Sequence, residues 1–150
     1  MMHISSNKLY LPFLSKALDY CAGPLAQCIV CADENNYPVA GVIYDGYNGA
    51  IIHAHIWIDA ERKPMKEWYS CIFDYPFNRL GVNKVIGQVN SNNTEAIKLD
   101  EHFGFELEAT VKHYYDDGAS LLVYTMSRGQ CRILNSPAWQ KLNEKIAGLV

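Results

Sequence analysis

A chain of 150 residues with 49% apolar side chains and a formal net charge of −3 is long enough for one real core and is neither disordered nor polybasic. It has no basic patch for nucleic acid, and its mild acidity at most favours a cationic acceptor. Its uncharged runs, such as Gly46 to Ile58, are too short to span a bilayer, so no membrane partner is expected. The opening MMHISSNK lacks a signal-peptide apolar core, and five cysteines make an odd count without secretory context, so the thiols read as reduced and the chain as cytoplasmic.

Leu11, Leu14, Leu18 and Cys21 recur at helical spacing, with Pro12 tolerable in the first turn and Gly23-Pro24 as the stop. Cys28 to Ala32, Val39 to Tyr44 and Ala50 to Ile58 follow, separated by the turn-rich DENNY and DGYNG, and predict an antiparallel meander. In the third strand, period-two alternation puts Ile52, Ala54, Ile56 and Ile58 on a core face. His53, His55, Trp57 and Asp59 share the other face, which is polar enough to line a cleft. From Pro64 to Leu80 the spacing turns helical through Met65, Tyr69, Ile72 and Phe73, with Gly81 just past the end. Pro76 removes one backbone donor, which predicts a kink or early break near Tyr75.

The stretch VIGQVNSNNTEAIKLDEHFGF, Val85 to Phe105, opens as a strand, turns through SNN and becomes a helix with Ala96, Ile97, Leu99 and Phe103 apolar. Gly104 stops that helix, and Asn92 with Glu95 resembles a capping box at its start. Strand, helix with open amides, and returning strand make a natural seat for an anionic or carbonyl-bearing ligand. Phe105 to Tyr115 and Ser120 to Met126 predict a hairpin across Asp116-Asp117-Gly118. Residues 1–127 read as one domain and 128–150 as an extension, in which Ser136-Pro137 starts a helix. Its stripe of Trp139, Leu142, Ile146 and Leu149 packs either on its own domain or on a partner, a homodimer included.

Cys28-x-x-Cys31 with His53-x-His55 has the residue types of a zinc site. The two cysteines differ by an odd number within one strand and point to opposite faces, so no metal is expected. Cys71 shows no base beside it in sequence, as a nucleophile would need.

The pattern N-x-x-A-I-x-L-x-E-x-x-G-F at Asn93 to Phe105 resembles the last conserved segment of the GCN5-related N-acetyltransferases, particularly the ribosomal-protein-acetylating branch. The resemblance runs on through DYPFNRLGVNKV before it and GASLLVYTM after it, covering Ala26 to Met126. The chain is also similar to small acetyltransferase-like proteins of bacteriophages and bacteria, several with a Cys-Arg near the C-terminus. The resemblance implies an α+β fold: a mostly antiparallel sheet of about six to seven strands, splayed between the fourth and fifth and flanked by helices, plus a C-terminal helix. Here the splayed pair would be Ala50 to Asp59 and Lys84 to Val89. The pantetheine arm of acetyl-CoA would lie in the gap as an extra strand does, with its pyrophosphate on the helix starting near Pro64. Cofactor contacts would then fall on Trp57, Ile58, Arg62, Lys63, Met65, Lys66 and Asn93, the last also a helix cap.

Two departures stand out. The family's Arg/Gln-x-x-Gly-x-Gly/Ala loop is replaced by Ala60-Glu61-Arg62-Lys63-Pro64-Met65-Lys66, leaving Arg62, Lys63 and Lys66 to supply charge-assisted contacts. The position after Leu99, often a tyrosine that protonates the leaving thiolate, is Asp100, which with an ordinary pKa is ionised at neutral pH. Water, Tyr114 or Tyr115 would take over that task. The expected reaction is direct acetyl transfer to a primary amine of unidentified acceptor: a protein N-terminus, a lysine or a small amine. His55 and His53 are the first candidates for its base and Asp59 the third. The rival expectation is a catalytically weak acetyltransferase-like protein that docks a host or self partner.

Overall fold

The computed structural model describes residues 1–147, so Leu149 of the C-terminal stripe lies outside the described residues. Seven strands form one sheet in the order β1-β2-β3-β4-β5-β7-β6. The predicted meander is there: β2 (Gln27–Ala32), β3 (Pro38–Asp45) and β4 (Ile51–Ile58) pair antiparallel in sequence. It is preceded by β1 (His3–Ser5), which the sequence reading missed because three residues carry no readable period. β5 (Lys84–Asn90) joins β4 as the one parallel pair. β7 (Leu121–Met126) then pairs antiparallel with β5, and β6 (Glu106–Val111) with β7. Strand β6 ends sooner than predicted. His113 turns to φ 55°, and the amides of Tyr114 and Tyr115 both donate to the Ala119 carbonyl at 3.1 Å.

Each face of the sheet has its own core. On one face Val42, Tyr44, Ile52, Ala54, Val85 and Val89 pack with Trp68, Ile72 and Phe73 of α2 (Lys66–Asp74) and Phe103 of α3 (Thr94–Phe103). On the other face Leu14 of α1 (Leu11–Leu18) packs with Cys28, Val30 and Ile43. Gly41 makes that seat, since a Cβ there would stand 2.5 Å from Leu14 Cδ2. Cys28 and Cys31 thus belong to opposite cores.

At Pro76 the α-helix gives way without a break. It ends at Asp74, and Tyr75–Arg79 continue as a π-helical turn closed by Leu80 N–H on the Tyr75 carbonyl at 3.0 Å. Beyond the sheet, α4 (Arg132–Asn135) and α5 (Gln140–Ala147) fold back on α2. Trp139 meets Tyr69 edge-on at 5.9 Å, Ser70 Oγ donates to Asn143 Oδ1 at 2.6 Å, and Ile146 is buried.

Candidate active site

The site comes from how β4 and β5 divide their partners. Their parallel pairing covers Ile51 with Lys84, Ile52 with Val85 and His53 with Ile86, and stops there. Each strand stays paired on its far side, β4 with β3 as far as Ile58 and β5 with β7 as far as Asn90. The two strands therefore part without fraying. Asp59 N–H donates to the Val39 carbonyl at 2.8 Å, which fixes the phase of β4. By alternation, Ile56 and Ile58 turn their backbone groups into the gap. On β5, Ser91 N–H donates to Ser120, so Gln88 faces the gap from the other side.

A cavity of about 660 Å3 occupies this opening. Ala54, His55 and Ile56 are successive residues of β4 and all line it, so the opening passes through the sheet from one face to the other. Leu18 and Asp19 at the end of α1 border it on one face. Asn93, Ala96 and Asp100 of α3 border it on the other, with Gly87 of β5 between.

His55 is stacked on Tyr20 with ring centroids 3.8 Å apart. Burial pushes its pKa down from the usual 6.5 to about 4, the neighbouring His53 adds to the effect, and Asp45 opposes it. Its ring is therefore neutral at physiological pH. Tyr20 donates its hydroxyl to Asp45 Oδ2 at 2.8 Å, an oxygen that also accepts the Gly23 amide at 2.8 Å. Burial and that carboxylate hold Tyr20 at about 12.

Asp100 overturns the sequence reading of it as an ordinary ionised carboxylate. It is 7% exposed, and burial, with the Glu101 charge second, raises its pKa to about 7. One signal was available: Asp100 stands four residues after Ala96 and three before Phe103, on the inward stripe of α3.

The other predicted residues fall in three places. Asn93 lines the cavity, and its side chain accepts the Ala96 amide at 3.1 Å as the cap of α3; of the two caps the sequence offered, the structure uses Asn93 and not Asn92. His53 sits at the closed end, where the strands still pair, against Gly46. Trp57, Asp59 and Arg62 border a different, shallow pocket beside Phe13. There Arg62 donates to Asp33 at 2.8 Å, to Asp59 at 3.3 Å and to the Pro38 carbonyl at 3.2 Å. Asp59 also accepts the Glu61 amide at 2.8 Å, which first, with Arg62, holds it below the usual carboxylate range. Ile58 packs on the core at the open end of β4, and Met65 and Lys66 begin α2 without a side-chain cap. Lys63 is exposed on the loop. Tyr114 is exposed and meets Tyr115 edge-on at 5.0 Å, and it is Tyr115 that reaches the cavity.

Among the described residues no three His, Cys, Asp or Glu side chains are grouped to hold a metal ion, and no helix is long and apolar enough to cross a membrane. A second cavity, about 360 Å3, lies between the β1–β2 edge and α2; the carboxylate bordering it, Asp74, is paired with Arg79 at 2.9 Å.

The strand order, the parting parallel pair and the flanking helices define the fold of the GCN5-related N-acetyltransferases. No protein-family profile and no curated protein matches the chain. Solved structures do. A mutant form of the spermidine/spermine N-acetyltransferase SpeG from Vibrio cholerae is 16% identical, with 91% of this chain and 99% of that one covered at a TM-score of 0.67. A dodecameric structure of the spermidine N-acetyltransferase from the same organism, in an intermediate state, is 15% identical, covers 91% and 98%, and also scores 0.67. A candidate phosphinothricin N-acetyltransferase is 14% identical, covers 85% and 98%, and scores 0.62.

Proposed function

We propose that this chain moves an acetyl group from acetyl-CoA to a primary amine by direct transfer in a ternary complex. The observation that carries the reading is the parting of β4 and β5 beyond His53 and Ile86, with a cavity running through the sheet at that point. An amide-rich arm laid in the gap finds unpaired backbone groups at Ile56, Ile58 and Gln88, as an added strand would. At the open end of β4, the first amides of α2 favour a pyrophosphate. Arg62 is engaged by two carboxylates, so Lys63 and Lys66 carry the charge-assisted contacts.

The acceptor amine enters from the α1 side, past Asp19, whose negative charge suits an ammonium. An ammonium must lose a proton before it can attack a carbonyl carbon. His55 is the one of the four predicted catalytic residues that borders the cavity, and as a neutral imidazole it accepts that proton directly or through water. Its low pKa, set first by burial, makes it a weak base. Resemblance to the ribosomal-protein-acetylating branch makes a protein N-terminus the first acceptor to try, and the spermidine enzymes make a polyamine the second.

A second reading has its own observation: the loop before α2 has no glycine and its arginine is bound internally, which fits a protein that keeps the fold and docks a partner. Calorimetry separates the two. Saturable heat on adding acetyl-CoA, followed by thiol release with a panel of peptide N-termini and polyamines, is the expected result. No heat at millimolar acetyl-CoA removes the transferase reading.

A further inference from the structure

On the acetyl-transfer reading, we propose that Tyr20 is the positioning residue for the base: latched through its hydroxyl to Asp45, its ring holds the His55 imidazole at the cavity wall. The imidazole needs such a hold. The outer torsion of a histidine is broad, so packing or a hydrogen bond must choose the orientation of the ring. No hydrogen bond among the described residues reaches a ring nitrogen of His55, and no buried side-chain nitrogen there lacks a partner, so both nitrogens open on solvent. What fixes the ring is its face, laid on Tyr20 with centroids 3.8 Å apart and planes at 24°. His55 lines the cavity and Tyr20 does not, so the phenol stands behind the imidazole as seen from the gap.

The backbone brings the phenol to that place. Helix α1 ends at Leu18, Asp19 takes the left-handed conformation at φ 50°, and Tyr20 N–H donates back to the Ser15 carbonyl at 3.0 Å. The chain so reversed returns Tyr20 to the sheet. Asp45 closes β3 on the face that carries His53 and, two residues on, His55. Its Oδ2 takes the Tyr20 hydroxyl and the Gly23 amide, each at 2.8 Å, and its Oδ1 takes the Gly46 amide at 3.0 Å. A Cβ on Gly23 would stand 3.2 Å from both carboxylate oxygens, so glycine is what lets that amide come close. Burial first, then Asp45, keeps the phenol protonated up to about 12, so the latch has its donor throughout the physiological range.

The titratable groups around the imidazole are Tyr20, His53 beside it on β4 and Asp45 on β3, with Asp19, Asp100 and Tyr115 bordering the same cavity. Tyr20 is the one of these stacked on the ring, and so the one whose loss frees it to turn.

The test uses the full chain. Calorimetry with acetyl-CoA comes first: no binding to wild type overturns the transferase reading and this role with it. Tyr20→Phe keeps the ring and loses the latch, and Tyr20→Leu loses both. With turnover in hand, kcat should fall about fivefold in the first and about twentyfold or more in the second, while acetyl-CoA affinity stays within about threefold. In a His55→Ala chain neither substitution should lower the remaining rate further, because Tyr20 acts through that ring. An NMR titration of the His55 ring needs no acceptor. The ring should titrate far below 6.5 in wild type and closer to 6.5 in Tyr20→Leu, whose imidazole is open to water. Either variant turning over within about twofold of wild type, a loss repeated in the His55→Ala chain, or an unmoved His55 titration overturns the positioning role and leaves acetyl transfer standing.

Discussion

Two titratable side chains border the cavity from opposite faces of the sheet, and burial moves them in opposite directions. His55 falls from 6.5 to about 4, so the folded chain binds fewer protons there than the unfolded one; its contribution is present above 6.5 and lost as the pH falls through 4. Asp100 rises from 3.8 to about 7, so its contribution is present below 3.8 and lost as the pH rises through 7. At about 1.4 kcal/mol per unit, each is worth on the order of 3 to 4 kcal/mol. The two windows overlap, and wild-type stability should be nearly flat across them. Denaturant titrations should unmask each slope: Asp100→Asn gains on wild type from pH 4 to 7, and His55→Gln gains on it from pH 6.5 down to 4. Parallel curves for wild type and both variants would contradict the burial argument. For chemistry, His55→Ala should lower turnover while leaving acetyl-CoA affinity nearly intact, and equal loss of both would make the residue structural. The positions of these side chains were readable in the sequence, His55 from strand alternation and Asp100 from the helical stripe. Their ionisation was not, because it depends on Tyr20 and β5, which only the fold brings alongside.

At the scale of elements, the meander and the longer helices were legible because each has a clean apolar period, whereas the four residues of α4 were too few to show one. β1 was too short to have one, and β6 read too long because its turn begins at His113, before the Asp116-Asp117-Gly118 signal. The parting of β4 and β5 is written in neither strand; it follows from their loyalties to β3 and β7, and only family resemblance anticipated it. Gly104 ties the end of α3 to the C-terminal segment, with φ at 111° and room for no Cβ, which would lie 2.1 Å from the Gln130 carbonyl oxygen. Gly118 also has positive φ, at 86°, but open space around it. Gly104→Ala should therefore cost about 2 kcal/mol or more in urea unfolding, and Gly118→Ala about 1 kcal/mol. Equal costs would mean that the Gln130 contact yields easily.

For the whole molecule, the sequence indicated one domain with a real core and a phosphate-binding entry lacking its usual glycines; the structure divides that core between the two faces of the sheet and adds that Arg62 is spent on Asp33 and Asp59. Acetyl-CoA affinity should then lean on exposed lysines, weakening with added salt and falling in Lys66→Ala, as calorimetry at two ionic strengths would show. The acceptor was not legible, since one fold carries many acceptor sites. The claim beneath all of this is that the gap between β4 and β5 holds the thioester's amide-rich arm. Amide hydrogen exchange with and without acetyl-CoA tests it most directly. The account predicts slowed exchange at Ile56, Ile58 and Gln88; unchanged exchange there, or slowing confined to the cavity between β2 and α2, would contradict it.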